Sequence, residues 1–162
     1  MSKILVVVDM QKDYIDGALG TAEAEKIVDG VIKRIDDFDG EVVFTMDTHS
    51  AIYLQTQEGK NLPVPHCIKG TDGWKLDSRI EPLSKYRKIF EKPTFGSIAL
   101  TNYIADGNYK EIELHRHMRN FKRAFAQSVS AGRENFRKCG MLCGRDAAKP
   151  RKCAFRHENV PD

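Results

Sequence analysis

No stretch of this 162-residue chain has the roughly 20 consecutive apolar residues that a membrane-spanning helix needs. The first apolar run, Ile4–Val8, closes at Asp9 with no small-residue cleavage site behind it, so it reads as a buried strand rather than a secretory leader. Cysteine is sparse, at four residues; without an export signal, the expectation is reduced thiols and a cytoplasmic setting. There is no internal repeat, which leaves one domain as the reading of a chain this long.

Charge of one sign is missing from each part of the chain in turn. Residues 1–114 carry 14 Lys+Arg against 19 Asp+Glu, whereas residues 115–162 carry 12 Lys+Arg against only 4 Asp+Glu. Arginine is the most uneven residue, with Arg34, Arg79 and Arg87 in the first part and eight arginines in the second. A single domain seldom changes composition so abruptly. The change points either to a basic nucleic-acid-binding tail or to sequence of different origin.

What is present in residues 1–114 is an alternation of strand and helix signals. Lys3–Asp9 is a continuous apolar run closed by an acid, the pattern of a strand buried on both faces of a parallel sheet. Residues 11–20 contain Asp16-Gly17 and Gly20 and read as a loop. Thr21 can cap a helix whose apolar residues Ala24, Ile27, Val28, Val31, Ile32 and Ile35 fall on one face. Glu41–Asp47 is a second strand, again closed by an acid, and Thr48–Ser84 a long polar loop of the kind that is usually functional. Lys85–Lys92 reads as a third strand, Ser97–Ile104 as a helix capped by Ser97, and Glu111–Leu114 as the start of a fourth strand. The order argues for an α/β fold with a mainly parallel sheet. Ligands of such sheets bind beyond the carboxyl ends of the strands, where Asp9, Asp47 and Lys92 stand.

Each of these residues also has a plain structural reading. Asp9 fits a strand-terminal acid that caps the following loop, and Lys92 an ordinary solvent-facing lysine. Asp47, His49, Glu58 and His66 supply two carboxylates and two imidazoles from one region, a donor set suited to a divalent cation such as Zn, Mn or Fe; the same four could equally be solvated surface residues. Cys67 follows His66 directly, and neighbours on an extended chain point apart, so Cys67 reads as a packing residue rather than a nucleophile paired with that histidine.

Taken together, these segments resemble one family. ILVVVDMQKDYIDGALG is similar to the opening of isochorismatase-like cysteine hydrolases. VVFTMDTHSAIYLQTQEGKNLPVPHCIKGTDGW resembles the metal loop of bacterial nicotinamidases, and IFEKPTFGS their catalytic-lysine segment. The resemblance covers nearly all of residues 3–114. It implies a three-layer α/β/α, flavodoxin-like fold and hydrolysis of a small amide such as nicotinamide. It also implies that Asp9 is the base for a nucleophilic cysteine and that Lys92 stabilises developing charge. Asp47, His49, Glu58 and His66 would hold a metal that binds the substrate's ring nitrogen. Intact members would act without membrane or nucleic-acid partners and could form homo-oligomers.

The family places its nucleophilic cysteine soon after the fourth strand, at a helix start that favours the thiolate. Here that region reads His115, Arg116, His117, Met118. Back-translation shifted forward by one base permits Thr-Asp-Ile-Cys-Val-Ile from His115 onward, with the cysteine codon straddling those of Met118 and Arg119. Phe121–Gln127, Cys139–Ala147 and His157–Pro161 likewise permit family-like segments in the family's order. The expectation is therefore a truncated hydrolase domain over residues 1–114 and an out-of-frame, poorly ordered basic tail over residues 115–162, leaving the sheet incomplete and the nucleophile missing. A short helical stretch around Phe121, Ala124, Phe125 and Val129 is the one element expected in the tail. Two rivals remain for it: a small zinc module through Cys139, Cys143, Cys153 and His157, and an arginine-rich nucleic-acid-binding segment, which lacks the aromatic interleaving of a stacking platform. A non-catalytic metal- or ligand-binding remnant is the alternative for the chain as a whole.

Overall fold

The computed structural model describes residues 2–116, 139–142 and 152–153. Its first strand, β1 (Lys3–Val8), is buried along nearly its whole length, as a run of Ile, Leu and Val requires. A short helix α1 (Lys12–Ile15) follows, then α2 (Ala22–Asp36). Thr21 caps α2: its side-chain oxygen accepts from the Ala24 amide, and Glu23 and Glu25 sit in the first turn where the helix dipole favours anions. Next come β2 (Glu41–Asp47), a 3-10 turn at Tyr53–Gln55, and the helices α3 (Gln57–Asn61) and α4 (Glu81–Ser84). The chain continues through β3 (Ile89–Lys92), α5 (Ile98–Asp106) and β4 (Glu111–Arg116). Two short strands, β5 (Cys139–Leu142) and β6 (Lys152–Cys153), complete the described elements.

The strands form one sheet in the order β3-β2-β1-β4-β5-β6. Every pairing is parallel except β5 with β6. Alternation along β1 divides the core into two layers. Leu5 and Val7 face α2, where they meet Ala24, Val28, Val31 and Ile35. Ile4, Val6 and Val8 face the other way, onto Leu100 and Ile104 of α5. Helices therefore cover both faces, and the architecture is the expected α/β/α sandwich with a mainly parallel sheet. The order reverses between β1 and β4, which opens a crevice beyond the carboxyl end of β1.

Several boundaries differ from the sequence reading. The loop after β1 contains α1, and the long polar loop contains a 3-10 turn and two helices of four or five residues, too short to show a helical apolar period. The third strand begins at Ile89 rather than Lys85, because Pro82 starts α4 and the Arg87 amide closes a turn onto the Ser84 carbonyl. Beyond Leu114 no continuation of the sheet is expected from side-chain pattern. Yet β4 runs on to Arg116, and β5 pairs with it from Ile112↔Cys139 to His115↔Leu142. Backbone hydrogen bonds make that ladder, and Cys-Gly-Met-Leu has no β-branched residue to announce it. The helix expected around Phe121–Val129 lies outside the described residues, as do Cys143 and His157 of the zinc-module alternative.

Candidate metal centre and acid–base pair

Asp9 directly follows β1 and has a positive φ of 51°, a left-handed turn that aims its carboxylate across the sheet end. Thr45 of β2 fixes it there: the Thr45 hydroxyl donates to Asp9 Oδ1 at 2.6 Å, and the Asp9 amide donates to the Thr45 carbonyl at 3.2 Å. Lys92, the last residue of β3, reaches back across β2 to place Nζ 2.8 Å from Asp9 Oδ2 and 3.6 Å from Asp47 Oδ1. All three side chains are buried, Lys92 almost completely. Burial pushes the Asp9 carboxyl above its usual range, with Lys92 pulling the other way.

Asp47 links this pair to a second group. Its Oδ2 lies 3.1 Å from His49 Nε2 and 3.7 Å from His66 Nε2, and Glu58 Oε1 lies 3.9 Å from each of those nitrogens. Asp47, His49, Glu58 and His66 thus each offer one ligand atom, all within 4.8 Å of one another. Burial alone would raise the Asp47 carboxyl. The neighbouring His49 and His66 imidazoles, with Lys92 and Tyr14 behind them, reverse this and hold it well below the usual carboxylate range.

The loop geometry brings these four side chains together. The His49 amide donates to the Cys67 carbonyl and the Lys69 amide to the His49 carbonyl, so residues 49 and 68 form a parallel bridge that brings His66 beside His49. Thr56 caps α3 through its hydroxyl and orients Glu58 in the first turn. Tyr53 packs against both imidazoles, with ring centroids 4.7 Å from His49 and 4.9 Å from His66.

A divalent cation fits this set. His66 Nδ1 lies 2.8 Å from the Val64 carbonyl and so carries the proton, which leaves Nε2 as the bare nitrogen turned to the cluster. That Nε2 is buried with no partner at hydrogen-bond distance. Three acidic side chains, Asp9, Asp47 and Glu58, share the site with one lysine, Lys92, an excess of acidic groups that suits a divalent ion.

Three residues that matter here were not singled out from sequence. Gln11 is fully buried: its Nε2 donates to the Asp47 and Trp74 carbonyls at 2.8 and 2.7 Å, and its Oε1 accepts the Asp47 amide at 2.7 Å. The Tyr14 hydroxyl donates to Asp47 Oδ2 at 2.5 Å. Thr45 holds Asp9 as described. Such partners are set by contacts between strand ends far apart in sequence, and nothing in the local pattern marks them. Cys67 is fully buried, burial pushes its thiol up, and its amide donates to Asp13 Oδ2 at 2.7 Å, all in keeping with a packing residue. A cleft of about 710 Å³ opens over the site, walled by Tyr14, Leu19, Leu62 and Phe95, with Asp9, His49, Glu58 and His66 also on its lining.

Solved structures share this architecture. A nicotinamidase/pyrazinamidase from Bacillus subtilis superposes with a TM-score of 0.70 at 24% identity, covering 88% of this chain and 84% of that one. N-carbamoylsarcosine amidase from Thermoplasma acidophilum gives 0.72 at 25% identity, covering 93% and 86%. A pyrazinamidase from Pyrococcus horikoshii, solved in complex with zinc, gives 0.60 at 25% identity, covering 73% and 72%. No curated protein matches the chain by sequence. The isochorismatase domain model matches residues 3–114, the greater part of the chain, and the chain belongs to that family.

Proposed function

We propose that this chain carries the base and metal-binding part of an amide hydrolase acting on a small amide, with nicotinamide the leading substrate, and that the chain as it stands lacks the nucleophilic thiol. The observation that carries the reading is the sharing of Asp47 between the buried Asp9–Lys92 pair and the His49–Glu58–His66 group, under one cleft. A divalent ion held by Asp47, His49, Glu58 and His66 would supply a Lewis-acid anchor for a ring nitrogen. The chain's own residues do the rest. In the hydrolase reading, Asp9 takes the proton from a thiol placed above it and returns it to the departing ammonia. Lys92 offsets the negative charge that builds beside Asp9, and water entering the cleft then hydrolyses the acyl–thiol adduct, releasing the carboxylic acid and restoring the thiol.

Among the described residues nothing offers that thiol. Cys67 is packed inside with its thiol held protonated. The β-ladder puts Cys139 opposite Ile112 and Cys153 opposite Cys139, whereas Val8, next to Asp9, stands opposite Arg116. Four register steps along a strand are about 13 Å. Cys139 and Cys153 therefore belong to the amino end of the sheet, away from Asp9. Residues 115–162 are best explained as an out-of-frame reading of the family's own carboxy-terminal segment, and a cytoplasmic role in salvaging nicotinamide is the setting that goes with it.

The test is ammonia release from nicotinamide. The 162-residue chain is expected to show no turnover with added Zn, Mn or Fe. Joining Leu114 directly to the shifted motif omits a few of the family's residues; a chain restored to the shifted frame after Leu114, with those residues rebuilt, is expected to be active, and replacing the restored cysteine by alanine to abolish the activity. Turnover by the 162-residue chain overturns the missing-thiol reading and points to Cys67. Metal retention without turnover in the restored chain favours the second reading, a metal-binding remnant, which the four-ligand group supports by itself.

A further inference from the structure

The segment that supplies Asp9 also grips Asp47 at two levels. Gln11 closes on the backbone of Asp47, accepting its amide and donating to its carbonyl, so the main chain at the end of β2 is tied on both sides. What remains free is rotation of the Asp47 carboxylate about its own side-chain bonds. Two destinations compete for it. Turned one way, Oδ2 faces His49 and His66. Turned the other, the carboxylate moves onto the Lys92 ammonium, now 3.6 Å from Oδ1. An ammonium in a buried site is a strong attractor for a carboxylate.

We propose that Tyr14 is a positioning residue for the metal centre: its hydroxyl holds Asp47 Oδ2 toward the imidazoles and keeps the carboxylate from collapsing onto Lys92. The hydroxyl donates to that oxygen at 2.5 Å, within a buried contact. The Tyr14 ring lies 5.4 Å from the His66 ring at an interplanar angle of 56°, so the phenol is wedged between the ligand it holds and the ligand it packs against. Tyr14 itself is 6% exposed and extends from α1, one short turn beyond Gln11. Phenylalanine would fill the same wedge without the hydroxyl, which makes the oxygen the separable part. Outer-shell partners of this kind typically carry 10- to 100-fold in metal affinity.

This inference rests on the metal reading of Asp47, His49, Glu58 and His66, and the experiment separates the two. Zn(II) affinity of the full chain is measured by competition with a chromophoric chelator, and the Co(II)-loaded chain is followed by its visible ligand-field bands. Wild type binds one ion; Tyr14→Phe binds it at least tenfold more weakly, with shifted Co(II) bands. In an Asp47→Ala background, where the carboxylate is gone, Tyr14→Phe changes the residual affinity less than twofold, because the oxygen it positions is absent. Circular dichroism and the Tm in chelator report folding of each variant, and a purely structural role would lower that Tm while leaving the affinity of the folded fraction intact. Equal affinity and unchanged Co(II) bands in Tyr14→Phe overturn the positioning role while leaving the metal site standing. Failure of the wild-type chain to bind Zn(II) or Co(II) removes the metal reading and this inference with it.

Discussion

Lys92 Nζ lies 2.8 Å from Asp9 Oδ2, with the two side chains only 1% and 5% exposed. Removing one member of such a buried pair strands the other, which costs about 3–5 kcal/mol. The two truncations should not be equal. Asp9→Asn leaves Lys92 with Asp47 as a second partner, whereas Lys92→Met leaves the Asp9 and Asp47 carboxylates facing each other without a cation. Urea unfolding is expected to rank Lys92→Met as the more damaging change, with the double variant less unstable than Lys92→Met alone. The reverse ranking would mean that Asp47 does not share the ammonium.

Zinc should stabilise the folded chain by mass action. At a free concentration 100 times the Kd, the gain is about 2.7 kcal/mol. Thermal unfolding with and without Zn(II) checks this, and His66→Ala, which removes a buried ligand nitrogen, is expected to lose most of the gain. Equal zinc-induced shifts in wild type and His66→Ala would place the ion elsewhere.

Gly59 follows Glu58 in α3, and a Cβ there would stand 2.1 Å from the Tyr53 carbonyl oxygen and 2.7 Å from Leu54 Cα. Both are backbone atoms of the 3-10 turn, so the strain cannot be relieved by a side-chain rotation. Gly59→Ala is expected to cost about 1–3 kcal/mol and to displace Glu58 from the imidazoles. Denaturation reads the first effect and Zn(II) affinity the second. A variant as stable as wild type, with the same affinity, would show that α3 can move away freely.

His115 gives the fold a pH dependence of its own. Burial pushes its imidazole down to about 4; Glu113 opposes the shift and Arg34 adds to it. Unfolded, it would titrate near 6.5. Between these values the unfolded chain binds a proton that the folded chain refuses. Its contribution is therefore complete above pH 6.5 and is lost as pH falls toward 4, by about 3 kcal/mol at most. Comparing urea unfolding at pH 7.5 and pH 4.5, His115→Leu should lose less stability than wild type over that interval. An identical pH profile would place His115 in water.

Much of this could be read from residues alone where the signal is local. The apolar run of β1 closed by Asp9 and the one-sided face of α2 under Thr21 are such cases, as are two histidines and two acids close in sequence. Gln11, Tyr14 and Thr45 were not legible, because a hydrogen bond to a neighbouring strand end leaves no period in the sequence. The pairing of β5 with β4 was hidden for a different reason. A parallel ladder needs only extended backbone beside extended backbone, and Cys139–Leu142 has no β-branched side chains that advertise it.

The Asp47–His49–Glu58–His66 quartet lies wholly within residues 47–66, and the 49–68 bridge closes that loop with its own backbone hydrogen bonds. Closing so short a loop costs little chain entropy. During synthesis, β1, α2, β2 and the quartet leave the ribosome before β4, and contacts of low sequence separation form fastest. All four side chains, with Asp9 and Lys92, lie within the first 92 residues of the chain. In the proposed metal reading, the four side chains would then be brought together independently of anything after Leu114.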